Sequence, residues 1–426
     1  MSTTLHASAA ASSDTAPIAT ATDAVLQCVG VTKRFGSTTA VNDITLSLGR
    51  GEALAIVGPS GCGKSTLLRM MAGLTTVDSG TIFVGGKEVA GPTTFVPAER
   101  RGVGIVFQDL ALFPHLSVAD NVAFGLARRS GATRGRGWLK GRVAPAEPKP
   151  NRAPHREDGS SREVTSSAGV TSNDERVREM LELVGLSRFG DRFPHQLSGG
   201  EQQRVAIARA LALNPEVVLL DEPFSQLDRG LAARVRDEAI QSLRAAGASV
   251  VLVTHDQDEA LAVGDRVAVL QAGKLVQVAD PEEVFHRPVN RFVSTFLGEA
   301  DFLSGVRHGE SVDTLLGPLP VFDGADGDVD VMTRPHDLTV LPLVLADGTE
   351  RTQDQGAAGV VKRIEFRGGD VLHHVTLDAG PSLRALTSHT HKVGVGERVL
   401  VPTPAAHALT AFDVSCPTHK TPPTQA

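Results

Sequence analysis

An α/β fold with a mixed sheet, followed by a smaller all-β unit, is the architecture the 426-residue sequence predicts, on three observations. Ala53–Val57, Val217–Leu220 and Val250–Val253 are continuous apolar runs, the pattern of strands covered on both faces. From about Val25, such runs alternate with amphipathic stretches of helical period, Lys64–Ala72 among them, which is the βα rhythm of a largely parallel sheet. After about Phe302 the texture changes to short β-rich runs separated by Gly, Asp and Pro turns. Those runs are Val329–Thr333, Gly359–Phe366, Val371–Leu377, Leu383–Thr387 and Arg398–Val401, at the spacing of a small barrel.

Each element bounds the function. With 41% hydrophobic residues the chain buries a sizeable core, and its length implies two or three domains. A net charge of -7 gives no global basic field and argues against a nucleic-acid partner. Cys28, Cys62 and Cys416 have no paired or metal-ligand spacing, as befits a reducing compartment. No apolar run reaches the ~18 residues of a membrane span. Met1–Asp23 is rich in Ala, Ser and Thr without Lys or Arg before an apolar block, so residues 1–24 read as a disordered tail. Arg128–Asn173 breaks the α/β rhythm with Arg, Gly, Pro and Ser, and the lone Trp138 joins no apolar stripe. That composition reads as a flexible insertion; contact of its basic residues with anionic lipid is the alternative. The α/β core closes near Gly264-Asp265, with a hairpin predicted at Ala272-Gly273-Lys274.

Gly58-Pro59-Ser60-Gly61-Cys62-Gly63-Lys64-Ser65-Thr66 carries the first chemistry. A Gly-rich turn between a strand and a helix is a phosphate-binding loop in its proper context. The glycines let backbone N–H groups turn inward around phosphate oxygens, and the helix N-terminus adds its positive dipole end. Lys64 is placed for the β- and γ-phosphates, and the Ser65 hydroxyl for Mg²⁺. Cys62 occupies a variable position and reads as a bystander. The second element is Val217-Val218-Leu219-Leu220-Asp221-Glu222, an apolar strand delivering a carboxylate pair. Asp221 is positioned to hold Mg²⁺ directly or through water, and Glu222 to polarise an attacking water.

Leu197-Ser198-Gly199-Gly200-Glu201-Gln202-Gln203-Arg204 resembles the signature motif of ATP-binding cassette proteins and lies just before the Asp221-bearing strand, as in that family. Val106-Phe107-Gln108-Asp109 resembles its Q-loop, Ser225-Gln226-Leu227-Asp228 its D-loop, and Thr254-His255-Asp256 its switch histidine. Phe35 stands where the family stacks an aromatic on adenine. The resemblance implies an α/β P-loop nucleotide-binding domain with a helical subdomain over residues 25–265, with ATP and Mg²⁺ as ligands. It also implies a homodimer in which each ATP lies between one phosphate loop and the partner's signature motif, Ser198 and Gly200 contacting the γ-phosphate across the interface, with Gly199 and Asp228 also among the nucleotide-binding residues. Splitting the donors in this way makes hydrolysis conditional on closure. Gln108 would sense Mg²⁺ and γ-phosphate, and His255 would hold the γ-phosphate and water in line with Glu222.

The stretch Phe107–His115 resembles bacterial importer cassettes, where this region receives a helix of the membrane subunit. Pro281–Phe285, Arg287-Pro288 and Phe296–Gly298 resemble the linker of the same group, assigned here to residues 266–301. Thr333–Leu338 resembles a segment of their C-terminal TOBE domain, assigned to residues 302–420 as an OB/TOBE-like barrel. His336, Gln226 and Leu110 depart from the usual residues without removing a catalytic group. The implied protein is a peripheral ATPase subunit on the cytoplasmic face of the membrane. It would pair with transmembrane permease subunits and, indirectly, with a solute-binding protein. Ferric iron is the favoured cargo, with polyamine, sulfate or sugar as alternatives, and a non-transport cassette ATPase is the rival from another class. His373-His374, His389 and His391 are expected to be solvated, with no metal-ligand constellation on the chain.

Overall fold

A computed structural model describes residues 24–129, 172–227, 229–322, 324–344, 349, 351, 356–391, 393–404 and 407–414. The chain divides into two compact units, Met1–Ala53 with Ser65–Val253, and Leu54–Lys64 with Thr254–Ala426. Strands β1 (Ala24–Phe35), β2 (Thr38–Gly49) and β3 (Ala53–Val57) lead into helix α1 (Lys64–Ala72). Then come β4 (Ser79–Val84), β5 (Lys87–Ala90), β6 (Val103–Val106), α2 (Val118–Arg129), α3 (Ser172–Leu183) and α4 (Gly199–Ala212). They are followed by β7 (Val217–Asp221), α5 (Arg229–Ala245), β8 (Ser249–Val253), α6 (Gln257–Val263), β9 (Arg266–Gln271) and β10 (Lys274–Ala279). Helices α7 (Pro281–His286) and α8 (Arg291–Phe296) complete this stretch.

In the first unit β6, β7 and β8 run parallel, Val103 opposite Val217 and Val217 opposite Ser249. Val217–Leu220 and Val250–Val253 are buried, which is what their unbroken apolar runs require. The segment before α1 departs from the expected βα alternation. There β1 and β2 are long antiparallel strands, and with β4 and β5 they form a sheet ordered β2-β1-β4-β5. Register shifts along β1 break its period-2 pattern and hide it from a periodicity reading. Helices α2, α3 and α4 supply the helical layer, burying Val118, Val122, Val177, Met180, Leu181 and Val205. The edges of the expected insertion are helical, since α2 runs to Arg129 and α3 starts at Ser172. The rest of it, with Trp138, lies outside the described residues, as do the tail through residue 23 and Cys416.

In the second unit β3 lies parallel to β9, and β10 returns antiparallel. The predicted hairpin turns through Ala272 (φ 47°) and Gly273 (φ 79°), two left-handed residues as a tight two-residue loop needs. The stretch assigned as linker contains β9, β10, α7 and α8. Asp280 caps α7 by accepting from the Glu283 N–H (2.8 Å) ahead of Pro281, and Asn290 caps α8 through the Val293 N–H (3.0 Å). Val284, Val293 and Leu297 from these helices pack with Val57, Val267 and Val269.

The all-β region is two antiparallel sheets. The first comprises β11 (Asp301–His308), β12 (Ser311–Thr314), β13 (Gly317–Pro320) and β14 (Gly327–Thr333). The second comprises β15 (Leu341–Pro342), β16 (Gly356–Phe366), β17 (Asp370–Leu377), β18 (Ser382–Ser388) and β19 (Arg398–Pro402). A last strand, β20 (Ala411–Asp413), joins the first beside β14. One apolar core, including Leu303, Val331, Val361, Val375, Leu383 and Val399, draws on both sheets. Arg334 ties the helices to it: its guanidinium lies over the Phe285 ring and donates to the Phe285 carbonyl (2.7 Å).

One histidine expectation is corrected. His373 is buried on β17, with Nε2 2.9 Å from the Thr387 hydroxyl, because it points to the opposite face from its neighbour. His374 is half-buried and bonded to Glu365 (2.9 Å), and His389 is exposed.

Candidate functional site

The phosphate loop joins β3 to α1. Gly61 (φ 79°) and Gly63 (φ 108°) put left-handed residues at alternate positions, the geometry that makes a concave nest of N–H groups. Gly58 is required for close approach, since a Cβ there would lie 2.3 Å from the Leu270 carbonyl oxygen and 2.6 Å from Cys62 Sγ. Lys64 is buried, and its ammonium donates to the loop carbonyls of Gly58 (2.6 Å) and Pro59 (3.2 Å). Burial pushes the Cys62 thiol up despite the nearby Lys64, so it stays protonated at neutral pH and inert as a nucleophile. Pro59 and Ser60 occupy the loop itself, and Ser65 and Thr66 stand in the first turn of α1.

The Ser65 hydroxyl lies 3.3 Å from Asp221 Oδ1 at the end of β7, a hydroxyl and a carboxylate brought together from 156 positions apart. Glu222 follows at φ 45°, a left-handed conformation that costs a residue with a Cβ and clusters at functional sites. Its N–H donates to the Val253 carbonyl (2.8 Å), and its carbonyl accepts from the Ser225 N–H (3.3 Å) and hydroxyl (2.9 Å). The same Ser225 hydroxyl takes a bond from Gln108 Nε2 (3.3 Å). A chain of bonds therefore runs from Gln108 through Ser225 to the backbone of Glu222. Ser225 was visible in the sequence only as part of a motif; nothing local marked it as the bridge.

Ser198 caps α4. It forms a reciprocal box with Glu201, whose carboxylate accepts from the Ser198 N–H (2.7 Å) and hydroxyl (2.8 Å). The Ser198 N–H, first among the causes, holds the Glu201 carboxyl below the usual range. Gly199 and Gly200 open the helix. The Ser-x-x-Glu spacing is a helix-start signal that motif reading alone passed over. Phe35 ends β1 and is 53% exposed, with the Lys33 ammonium 5.7 Å from its ring centroid. Beside it Lys33 pairs with Asp78 (2.8 Å), which also accepts from the Arg34 N–H (2.7 Å). His255 is exposed between β8 and α6, where Asp256 caps the helix through the Glu259 N–H (3.1 Å). Asp228 lies outside the described residues.

Two further side chains hold elements of the site. Arg101 is buried and donates to Met70 and Met71 (3.0 Å) carbonyls, closing the last turn of α1. Asn121, fully buried on α2, accepts from the Phe113 N–H (2.8 Å) and donates to the carbonyls of Phe113 (3.1 Å), Leu116 (3.1 Å) and Ser117 (3.0 Å). Among the described residues no helix is long and apolar enough to cross a membrane.

A profile described as ABC transporter matches residues 41–225, and one described as TOBE domain matches residues 331–410. An Fe(3+) ions import ATP-binding protein of Rhodococcus jostii is 40% identical over 390 residues, spanning 91% of this chain and 94% of that protein. A sulfate/thiosulfate import ATP-binding protein of Agrobacterium fabrum is 37% identical over 369 residues, 86% of this chain and 94% of its own. A spermidine/putrescine import ATP-binding protein of Oleidesulfovibrio alaskensis is 39% identical over 368 residues, with coverage of 84% and 86%.

Proposed function

The chain belongs to the ABC transporter family of ATP-binding subunits, and on that premise we propose that it hydrolyses ATP to drive import of ferric iron. The observation that carries the catalytic part is the Ser65–Asp221 pair with Glu222 one residue beyond it. A hydroxyl and a carboxylate are hard oxygen donors without nitrogen or sulfur, a set that fits Mg²⁺. Ser65 and Asp221 would hold the ion, with Gln108 at its edge. When bound, Mg²⁺ neutralises charge on the β- and γ-phosphate oxygens. The chain's own residues do the rest. The nest around Gly61 and Gly63 orients the phosphates through backbone N–H groups, and Lys64 trades its loop carbonyls for phosphate oxygens. The Glu222 carboxylate accepts a hydrogen bond from the attacking water and takes its proton as the water oxygen bonds to the γ-phosphorus and the β–γ bridge bond breaks, and His255 steadies the γ-phosphate. The Phe35 face stacks on adenine.

Ser198, Gly199, Gly200 and Asp228 complete the site from a second copy of the chain, in keeping with the family's head-to-tail pairing. The partner-facing loop Phe107–His115 docks transmembrane permease subunits, which places the protein on the cytoplasmic face of the membrane. Cargo identity rests on the Fe(3+) import relatives, supported by their 39–40% identity over 390 residues.

The test uses the full-length chain and its co-purified membrane subunits in proteoliposomes. Glu222→Gln is expected to bind ATP and accumulate as a dimer while phosphate release falls by about 100-fold or more. Near-normal turnover in that variant removes Glu222 from the base role. Uptake of radiolabelled ferric iron should exceed that of spermidine and sulfate; the reverse order overturns the cargo assignment and leaves the ATPase reading intact.

A further inference from the structure

The loop after Gln108 holds two consecutive non-glycine residues in the left-handed region, Leu110 (φ 57°) and Ala111 (φ 45°). Such a pair persists only where surrounding contacts over-determine it. The contact is supplied by Arg209 near the C-terminal end of α4, 98 positions away in the chain from Ala111. Its guanidinium donates through Nη1 to the Ala111 carbonyl (2.6 Å) and through Nη2 to the Leu110 carbonyl (2.7 Å). It also lies near the Phe113 ring (5.9 Å). The planar fork presents two N–H donors at a fixed separation, one to each of the adjacent carbonyls, so it fixes their orientation more tightly than a single ammonium nitrogen does. The turn it grips encloses Gln108, because the Leu110 N–H donates to the Phe107 carbonyl (2.9 Å) and the Ala111 N–H to the Asp109 carbonyl (2.7 Å). From there the bond chain through Ser225 reaches Glu222. The same helix carries Ser198 and Gly200 at its other end.

We propose that Arg209 is a positioning residue for hydrolysis, which holds Leu110–Ala111 in their left-handed turn and so sets Gln108 against Ser225 and the Glu222 backbone. Through α4 it joins the signature end of the helix to the loop that faces the membrane partner. This rests on the ATPase reading above. A purely structural arginine would lower stability and leave turnover per folded molecule unchanged. A positioning arginine lowers turnover and is dispensable once the turn forms without it.

The experiment uses the full-length chain with Mg·ATP, measuring kcat and KM by phosphate release alongside the melting temperature. Arg209→Gln is expected to reduce kcat about tenfold with KM within about twofold, since the phosphate loop is untouched. Arg209→Lys falls between the two. Adding Leu110→Gly with Ala111→Gly to Arg209→Gln returns kcat to within about threefold of wild type, because glycine adopts the turn without a clamp. An Arg209→Gln chain with kcat within about twofold of wild type overturns the proposal, as does a loss that the glycine pair does not recover. If Arg209→Gln does not fold, Arg209→Lys with and without the glycine pair decides by the same criteria. A wild-type chain with no ATPase activity would strike the underlying reading instead.

Discussion

Glu222 sets two demands against each other, and replacing it separates them. At φ 45° its backbone is left-handed, a conformation that costs a Cβ-bearing residue about 1–2 kcal/mol and costs glycine nothing. Glycine in turn loses about 0.4–1 kcal/mol through the greater freedom of its unfolded chain. The difference predicts that Glu222→Gly is more stable than Glu222→Ala by about 0.5–1 kcal/mol. In an ordinary right-handed position the order is the reverse. Neither variant carries the carboxylate, so both lose turnover. The assay is urea unfolding of the full-length chain, with the transition that ATP shifts upward assigned to the nucleotide-binding unit. Phosphate release is measured in parallel. A Glu222→Ala chain as stable as Glu222→Gly, or more so, would refute the idea that the acid sits on a strained backbone held by Val253 and Ser225.

Three other outcomes are expected. Asn121→Ala orphans the Phe113 N–H and costs about 2 kcal/mol in the same unfolding assay. Asn121→Asp costs more, because it turns a carboxylate toward three carbonyl oxygens; equal stability of Asp and Asn would remove the clamp. Phe35→Ala weakens ATP binding by about threefold to tenfold and Phe35→Trp preserves it, read by titration with a fluorescent ATP analogue. His373 is held below its ordinary value of 6.5, first by burial and then by His391. Its neutral form favours the fold, so its contribution is complete above pH 6.5 and is lost as pH falls through the lower folded value. The melting temperature should decline as pH falls from 6.5 toward that lower value and level off below it, and His373→Gln should flatten the slope.

What the sequence made legible follows from where its signals are local. The β3 and β7 runs are buried on both faces, so unbroken apolarity announced them and fixed Gly58–Thr66, Asp221 and Glu222 at their ends. The strands seen in advance in the all-β unit were the ones with clear runs, β14 and β16–β19. The short β12, β13, β15 and β20 lack enough residues for a period to emerge. The register shifts along β1 had the same effect on a long strand. For His373-His374, sequence offers no way to tell which ring faces inward; packing of the sheet decides. Ser225, Asn121 and Arg209 act through contacts to residues 3 to 117 positions away. Their roles exist only once the chain is folded. The left-handed backbone of Leu110, Ala111 and Glu222 was equally invisible, since none is a residue that prefers that region.

The cap on α4 has a bearing on how two copies would part. The Ser198 hydroxyl has a single proton, which it gives to Glu201. Donation to a phosphate oxygen held by another copy requires that proton to leave the carboxylate, so the two arrangements exclude each other. In a pair joined as proposed, closure would undo that hydroxyl–carboxylate bond and opening would restore it, while the Glu201 N–H keeps the Ser198 Oγ as its acceptor throughout. The resting helix end competes with the nucleotide for the same donor. In a pair joined as proposed, the Glu201 carboxylate would stand beside the same hydroxyl when the γ-phosphate is cleaved and would favour reopening.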